Sequence, residues 1–259
     1  MTSLPIAKSD LIEGMARGMA VLESFDTERQ RLNATLAAQR TGLTRAAARR
    51  HLLTLAHLGY LETDGSYFWL APKVLRLSGS YLASARLPRV LQPTLNRLAT
   101  QTQQSFSAVV LDGGEVVIVA RSGGYGAPAR LLAYGVHLGA RLPAHPTSTG
   151  RVLLAALPPA ELTAWLKEHS LHRLTPHTIT QVGPLRQVIT QVRRDDFCLA
   201  AQEHELDVLA LAVPLRNLQG RTVAALNVVA SPRQIDAGSL QRDMLPLLQE
   251  AARELRGLL

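Results

Sequence analysis

The first third of the chain carries helix start and stop signals at spacings that few folds accommodate. Asn33 and Thr44 have the short side-chain oxygens that cap the free amides at the start of a helix. Gly42 lies between them and can take the left-handed conformation that ends a helix. Thr63–Ser66 then places Asp-Gly at the tip of a β-hairpin between two short apolar segments. The signals predict two helices joined by a tight turn and followed by a hairpin.

The apolar spacing agrees with these signals. A helical pattern runs from Met15 to Phe25 and precedes the helix that Asn33 caps. The helix after Thr44 is expected to bury its residues at i, i+4, i+7 and i+10, which are Ala48, Leu52, Leu55 and Leu58. Helix, helix, tight turn, helix and hairpin in this order predict a winged helix-turn-helix domain over residues 12–71.

The charge distribution fits a polyanionic partner. The chain has a formal net charge of +8. From Arg29 to Leu61 it has no Asp or Glu, and its arginines are Arg29, Arg31, Arg40, Arg45, Arg49 and Arg50. Arginine can donate two hydrogen bonds to guanine, and alanine methyls can contact a thymine methyl. The alternative is a solvated basic face. The residues expected to contact double-stranded DNA are Thr44, Arg45, Ala46, Ala47, Arg49, Arg50 and Ser66.

The remainder of the chain predicts a linker helix over residues 72–88 and a second domain over residues 89–259. Apolar β segments cluster at the two ends of the second domain, among them Ser105–Leu111 and Val223–Val229. Helical segments lie between these clusters, and a further strand is expected at Arg130–Val136. This arrangement favours an α+β fold in which helices pack on an antiparallel sheet.

Several classes of protein are disfavoured. A lone cysteine, Cys198, leaves no internal disulfide framework and no cysteine-based zinc cluster. His169, His172 and His177 lack a recognised zinc spacing, and no nucleophile–base set stands out, so neither a metal, a cofactor nor a catalytic residue is expected. The apolar runs are too short to span a membrane, and no secretory signal is visible. A cytoplasmic location is the expectation.

Several motifs, taken together in their order and spacing along the chain, resemble those of the IclR-type regulators over roughly residues 14–259. The winged-helix stretches are Gly18–Leu22, Gly42–Thr44, Leu52–Leu55 and Leu58–Leu61. Those of the linker and second domain are Tyr67–Leu77, Leu111–Val117, Arg141–Ala155, Ala212–Pro214 and Val223–Leu226. The resemblance implies a winged helix-turn-helix, a linker helix and a GAF-like antiparallel-sheet effector domain.

A finer similarity involves Gly150–Ala155, Cys198–Leu199 and Gln202–Glu205. These segments resemble the branch that controls aromatic-acid catabolism through the β-ketoadipate pathway, such as regulators for protocatechuate or 4-hydroxybenzoate. The chain departs from that branch at three positions near the expected pocket. Ala201 stands in place of Asp, Asp207 in place of Gly, and Leu209 in place of Arg.

Some positions expected to bind the effector also have simpler roles. The start of a helix at Thr147–Gly150 can bind a carboxylate through free amides, or be capped only by its own hydroxyls. The polar segment after Cys198 either borders the pocket or is a solvated loop. Asn227 serves either the ligand or the neighbouring backbone. The expected effector-binding residues are Leu131, Tyr134, Thr147, Ser148, Thr149, Gly150, Cys198, Gln202, Glu203 and Asn227.

Three functions remain open from the sequence. The leading one is a ligand-responsive transcription regulator that binds a palindromic operator as a homodimer or homotetramer and responds to a small organic acid. RNA polymerase would be a further partner if the chain is an activator. The alternatives are a small-molecule hydrolase with an accessory nucleic-acid-binding domain, and a nucleoid-type DNA protein whose second domain only dimerises.

Overall fold

A computed structural model describes residues 6–26, 29–122 and 137–259. The chain divides into two compact units, the first ending at Ser84 and the second spanning Ala85–Leu259. The expected third strand at Arg130–Val136 lies outside the described residues. Among the described residues, no helix combines the length and the apolar character needed to cross a membrane.

The first unit is a winged helix-turn-helix, as the sequence predicts. Its helices and strands are α1 (Glu13–Glu23), α2 (Ala34–Thr41), α3 (Arg45–His57), β1 (Leu61–Thr63), β2 (Phe68–Leu70) and α4 (Leu75–Ser84). β1 and β2 pair in antiparallel register, with Leu61 opposite Leu70. Leu32 forms an isolated bridge to Phe68 through two backbone hydrogen bonds of 3.0 and 2.8 Å.

The predicted caps form in this unit. The Asn33 side chain accepts hydrogen bonds from two backbone amides of α2, and the Thr44 hydroxyl accepts one from Ala47. Gly42 takes a φ of +69° and ends α2. Lys73 Nζ donates to the carbonyl oxygen of Leu58 at 2.7 Å, which satisfies an acceptor at the carboxyl end of α3.

The expected buried face of α3 is partly wrong. Ala48 and Leu52 are fully buried, and Leu55 is half-buried. Leu58 is instead 49% exposed. α3 ends at His57, and the chain leaves the helix direction at Gly59, whose φ is +77°. Leu58 still donates its amide to the Thr54 carbonyl oxygen at 2.9 Å, but it lies at the carboxyl end of the helix, beyond the apolar cluster that covers Ala48 and Leu52.

The second unit is built on a six-stranded antiparallel sheet in the order β5-β4-β3-β8-β7-β6. Its strands are β3 (Ser105–Asp112), β4 (Glu115–Arg121), β5 (Arg141–Pro143), β6 (Cys198–Ala201), β7 (Leu209–Arg216) and β8 (Thr222–Ala230). Its helices are α5 (Arg86–Thr102), α6 (Ser148–Ala155), α7 (Pro159–Glu168), α8 (Val182–Asp195) and α9 (Ala237–Leu255). The antiparallel-sheet expectation is confirmed.

Helices cover both faces of this sheet. The apolar cluster on one face joins α5 and α9 to strand residues such as Phe106 and Leu226. The cluster on the other face joins α6, α7 and α8 to residues such as Ile118 and Ala225. Strand residues pointing in opposite directions supply the two clusters, as the pleat requires. The second face also carries a cavity, described below.

α5 begins earlier than the sequence indicates. The helix was expected over Leu91–Thr102, with Pro93 near its start, and it runs from Arg86 through Pro93. Pro93 lies on the exposed side of the helix, where water can satisfy the carbonyl that proline leaves unbonded. The range assigned to the linker, residues 72–88, thus holds a short 3-10 turn, α4 and the start of α5.

Candidate nucleic-acid interface and ligand cavity

The amino-terminal half of α3 presents basic side chains to solvent. Arg45, Arg49 and Arg50 are exposed, as are Thr44 and Ala46. Ala47 is half-buried, and its amide donates to the Thr44 hydroxyl at 3.2 Å. Ser66 is exposed at the tip of the β1–β2 hairpin. The residues predicted to contact DNA therefore lie on exposed or half-exposed parts of α3 and the wing.

Five arginines of the Arg29–Leu61 stretch, which contains no Asp or Glu, fall into two groups. Arg31 pairs with Asp64 at 2.9 Å and lies 4.4 Å from the centre of the Trp69 ring. Arg40 pairs with Asp26. In contrast, Arg45, Arg49 and Arg50 form no ion pair within residues 6–26, 29–122 and 137–259. Part of the positive charge is thus neutralised by acids outside the stretch, and the part on α3 is left for a partner.

In the second unit, a cavity of about 110 Å³ lies between the sheet and the start of α6. Its apolar wall comes from the strands and the segment before β7, with Val109, Ile118, Leu142, Ala200, Val208, Ala210 and Val229. Its polar wall consists of Ser107, Thr147, Ser148, Thr149, Gln202, Glu203, His204, Glu205 and Asn227. An apolar cavity with a few convergent polar groups is typical of a small-molecule site.

Close packing positions the amino terminus of α6 beside this cavity. A Cβ atom at Gly150 would lie 2.0 Å from the carbonyl oxygen of Ala144, so only glycine permits the approach. The Thr147 hydroxyl caps the helix by accepting the Gly150 amide at 3.2 Å. Within the described part of the chain, the amides of Ser148 and Thr149 have no acceptor. Amides at a helix start favour an anion.

Two buried polar atoms at the cavity also lack partners. Among the described residues, three buried side-chain atoms make no hydrogen bond: Gln104 Oε1, Ser148 Oγ and Asn227 Oδ1. Ser148 and Asn227 both line the cavity, and they are only 1% and 8% exposed. A buried polar group without a partner costs about 1–3 kcal/mol. A bound ligand would remove that cost.

A buried ion pair forms the base of the cavity wall. Arg151 is 2% exposed, and its guanidinium donates to both carboxylate oxygens of Glu203 at 2.6 and 2.5 Å. Arg151 Nε also donates to the carbonyl oxygen of His145 at 2.8 Å. These hydrogen bonds connect Arg151 on α6 to His145 in the segment before the helix and to Glu203 in the segment after β6.

Threonine hydroxyls fasten the same segment from another side. Thr175 Oγ1 donates to the carbonyl oxygen of Gln202 at 2.7 Å, and Thr178 Oγ1 donates to that of Glu203 at 2.6 Å. The Gln202 side chain accepts the amide of Asp207 at 3.2 Å. The polar segment that the sequence left open as a solvated loop is therefore fixed at both ends and forms a wall of the cavity.

Burial keeps two histidines and the cysteine near the cavity in their neutral forms. Burial lowers the pKa of His145 and of His204, so both imidazoles are uncharged at neutral pH. Burial raises the pKa of the Cys198 thiol to about 11, which leaves little thiolate. Since Glu203 is compensated by Arg151, an anion in the cavity would rely on amides and hydroxyls within the described wall.

Comparisons with known proteins identify the family. Residues 14–65 match the IclR helix-turn-helix domain, and residues 79–256 match the bacterial transcriptional regulator IclR C-terminal domain. The chain belongs to the IclR family.

Two curated relatives come from Acinetobacter baylyi. The IclR-type chain is 50% identical to the Pca operon regulatory protein over 98% of this chain and 91% of the relative. It is 50% identical to the p-hydroxybenzoate hydroxylase transcriptional activator over 99% of this chain and 95% of the relative.

One solved structure is the inducer-binding domain of the PobR transcription factor from Acinetobacter, a double mutant in complex with 3-hydroxybenzoic acid. It superposes with a TM-score of 0.62 at 46% identity and covers 66% of this chain and 98% of that chain.

Family membership decides between the functions that the sequence left open. The chain is a ligand-responsive DNA-binding transcription regulator and not an enzyme, and the hydrolase alternative has no support. The buried, protonated thiol of Cys198 agrees with this conclusion, because the thiolate is the reactive form. Among the described residues, no group of histidine, cysteine and acidic side chains is placed to hold a metal ion.

The structure brings together most of the effector-binding residues expected in this IclR-type chain. Those that line the cavity are Thr147, Ser148, Thr149, Gln202, Glu203 and Asn227. Gly150 does not line it, since its role is the close approach to Ala144. Cys198 is not a lining residue either, because it packs against the apolar helix side chains at the start of β6. Leu131 and Tyr134 lie outside the described residues.

Arg151 is the functional residue that sequence reasoning missed. A charged residue beside the apolar run Val152–Ala155 was a usable signal, because a buried arginine requires an acidic partner. Ser107, His204 and Glu205 also line the cavity without having been assigned to it. Ser107 could not be found from its apolar strand, since the register that aligns it with Asn227 is a long-range property.

The departures from the aromatic-acid branch have distinct structural settings. Asp207 has a φ of +62°, a conformation in which the branch's usual glycine is unstrained, and its carboxylate pairs with Arg233 at 2.8 Å. Leu209 is buried in the cluster on the opposite face of the sheet, where an arginine would lack a partner among the clustered side chains. Ala201 is exposed. None of the three lines the cavity.

We expect Glu203→Gln to lower the free energy of unfolding by about 3–5 kcal/mol, because it leaves a buried guanidinium without its counter-charge. The double variant Arg151→Met/Glu203→Gln is expected to lose less than the sum of the two single variants. Urea unfolding of the four proteins measures the coupling. Glu254→Gln is the control, since its pair with Arg97 is half exposed and its loss costs under about 1 kcal/mol. Equal losses for Glu203→Gln and the control would contradict the prediction.

Proposed function

We propose that the chain regulates an operon for aromatic-acid breakdown. We also propose that it binds a small organic acid in the cavity between the sheet and the start of α6. The observation that carries the proposal lies at one buried helix start. There the amides of Ser148 and Thr149 and the Ser148 hydroxyl have no hydrogen-bond partner among the described residues. A carboxylate accepts hydrogen bonds only, so it complements this group of donors. The favourable dipole at a helix start adds to the interaction.

The remainder of the cavity suits an aromatic ring. Apart from Ser107 and Asn227, the strand residues of its wall are aliphatic, and its volume of about 110 Å³ is of the same order as that of a roughly 150 Å³ protein cavity that binds benzene. The names of the relatives support the same class, because one controls a p-hydroxybenzoate hydroxylase and the domain from Acinetobacter holds 3-hydroxybenzoic acid. A domain that served only for dimerisation would need neither the cavity nor its unpartnered polar atoms.

The DNA partner is a palindromic operator bound by a homodimer or a dimer of dimers. One recognition helix per chain reaches too few bases for useful specificity, so two half-sites are required. Such a regulator acts in the cytoplasm, where its operator is. RNA polymerase is a further partner if binding activates transcription.

Coupling between ligand and operator is assigned to α4. This helix leaves Leu75, Leu77 and Tyr81 exposed at 66%, 55% and 47%. Exposed apolar side chains on one helix favour packing against a second copy of the chain. A ligand that changes this packing would change the spacing of the two recognition helices.

We expect Arg49→Ala and Arg50→Ala each to weaken operator binding by about 1–3 kcal/mol if the side chain contacts a base. Binding of the unchanged chain should also weaken steeply as salt rises, since phosphate contacts release counterions. Fluorescence anisotropy with labelled operator at several salt concentrations measures both effects. Arg97→Ala, an exposed arginine on α5, is the control and should bind normally. Normal affinity in both α3 variants would remove this helix from the proposed role.

Ser148→Leu or Thr149→Leu is expected to weaken binding of aromatic acids at least about tenfold while DNA binding is retained. The larger side chain would occupy the part of the cavity beside the amino terminus of α6. The Ser148 substitution also removes a donor hydroxyl. Calorimetry with 4-hydroxybenzoate and 3-hydroxybenzoate measures the loss. Thr190→Leu, an exposed α8 substitution, is the control. Unchanged ligand affinity in both cavity variants would place the ligand elsewhere.

Ligand affinity is expected to change when saturating operator DNA is present, by the same factor as the ligand changes operator affinity. Reciprocity follows from thermodynamic linkage, and typical couplings amount to about 1–3 kcal/mol. Two calorimetric titrations of the ligand, with and without operator, measure the factor. Leu77→Ser should reduce it if α4 transmits the change. Identical ligand affinities in the two titrations would exclude an equilibrium switch.

A further inference from the structure

Asn227 is a polar side chain in the middle of an otherwise apolar strand. It lies on β8, next to Ser107 of β3 and Ala212 of β7 in the pairing register. Its strand neighbours run Val223-Ala224-Ala225-Leu226 before it and Val228-Val229-Ala230 after it. Asn227 is 8% exposed and lines the cavity on the side formed by the sheet.

The side-chain oxygen of Asn227 accepts no hydrogen bond within the described residues. If the sheet side of the cavity served only for packing, an aliphatic residue would be favoured at this position. Replacing an unpaired buried polar group with an apolar group of similar shape removes the free-energy cost of burying it. Asn227 instead keeps an unsatisfied acceptor beside the cavity. The acceptor requires a donor, which the residues that the structure describes do not supply.

We propose that Asn227 sets the ligand specificity of the cavity. Its carboxamide oxygen accepts a hydrogen bond from a donor on the ligand, which for an aromatic acid is a ring hydroxyl. The cavity therefore selects hydroxylated aromatic acids over unsubstituted ones and over dicarboxylates. This inference rests on the proposed function, because it assumes that the cavity binds an aromatic acid.

The two unpartnered groups make different demands on a ligand. The start of α6 offers amides and a hydroxyl, which a carboxylate satisfies. Asn227 Oδ1 is an acceptor, which a carboxylate cannot satisfy. A second carboxylate could accept from the Asn227 Nδ2 amide but would leave Oδ1 without a donor, on a wall that already includes Glu203 and Glu205. A ring hydroxyl donates its proton to the amide oxygen and adds no charge.

The expected selectivity follows from the cost of an unpaired acceptor. Sites built to bond a ligand hydroxyl reject the analogue without it far more strongly than apolar pockets reject a missing methylene. An unsatisfied buried acceptor corresponds to about tenfold or more in affinity. The full-length chain should therefore bind 3-hydroxybenzoate or 4-hydroxybenzoate at least about tenfold more tightly than benzoate.

Isothermal titration calorimetry of the full-length chain with benzoate, 3-hydroxybenzoate, 4-hydroxybenzoate and benzene-1,4-dicarboxylate tests the proposal. Asn227→Leu should reduce the preference for the better hydroxybenzoate over benzoate to within about threefold, with benzoate affinity unchanged or higher. Asn227→Asp keeps the acceptor and the size of the side chain. It should weaken all the acids through like charge but retain the hydroxyl preference.

Gln104→Leu is the matched control, because Gln104 Oε1 is also a buried acceptor without a partner among the described residues, and Gln104 does not line the cavity. It should retain the preference. Circular dichroism melts establish that each variant is folded, and Asn227→Asp still tests the acceptor role if Asn227→Leu does not fold. Loss of the preference in Asn227→Asp would overturn the proposal.

Other outcomes distinguish failure of the role of Asn227 from failure of the proposed aromatic-acid function. Equal affinities for benzoate and both hydroxybenzoates in the unchanged chain would overturn the role of Asn227 and leave the proposed function standing. Loss of the preference in Gln104→Leu but not in Asn227→Leu would also overturn it. Failure of every aromatic acid to bind the unchanged chain would instead refute the proposed function.

Discussion

The ion pair between Arg151 and Glu203 fixes the parts of the second unit that must stay in register for the cavity to exist. A buried guanidinium is tolerated only when its charge and donors are satisfied, and Glu203 with the His145 carbonyl supplies both. The bonds tie α6 to the segment after β6, and Thr175 and Thr178 fasten that segment from another side. The polar wall is therefore preorganised, so that a ligand does not have to order it on binding.

Charge is handled differently in the two units, and the difference matches their ligands. In the winged helix, Arg31 and Arg40 are paired within the fold, whereas the arginines of α3 are left exposed for a polyanion. In the second unit, the buried charge of Arg151 is cancelled, and neutral donors are left unpaired beside the cavity. An exposed, strongly charged surface suits the phosphates of DNA. Fixed neutral donors at a buried helix start suit one small anion.

The winged helix was predictable because its helix ends are set locally. Asn33 and Thr44 cap amides two or three residues away, and Gly42 ends α2 through its own backbone conformation. The thirteen-residue α3 was likewise set by capping, apart from Leu58, whose exposure depends on where the chain turns. The cavity was predictable in part, since the start of α6 is a local signal. The Arg151–Glu203 pair joins residues 52 positions apart, and the short strand β5 exists only because β4 lies beside it. Such features depend on tertiary packing that periodicity does not encode.

The pairing of β3 with β8 has a consequence for how the protein is made. These strands lie side by side in the sheet, yet they come from residues 105–112 and 222–230. Sheets that pair such distant segments fold slowly, because the chain must lose the entropy of closing a long loop before the strand contacts can stabilise the sheet. The first unit ends at Ser84, and domains generally fold as units from the amino terminus during synthesis, so it is expected to fold before the second unit. A nascent chain thus acquires its DNA-reading surface well before the domain that controls it, so translational arrest or truncation between them would release a reader without its sensor.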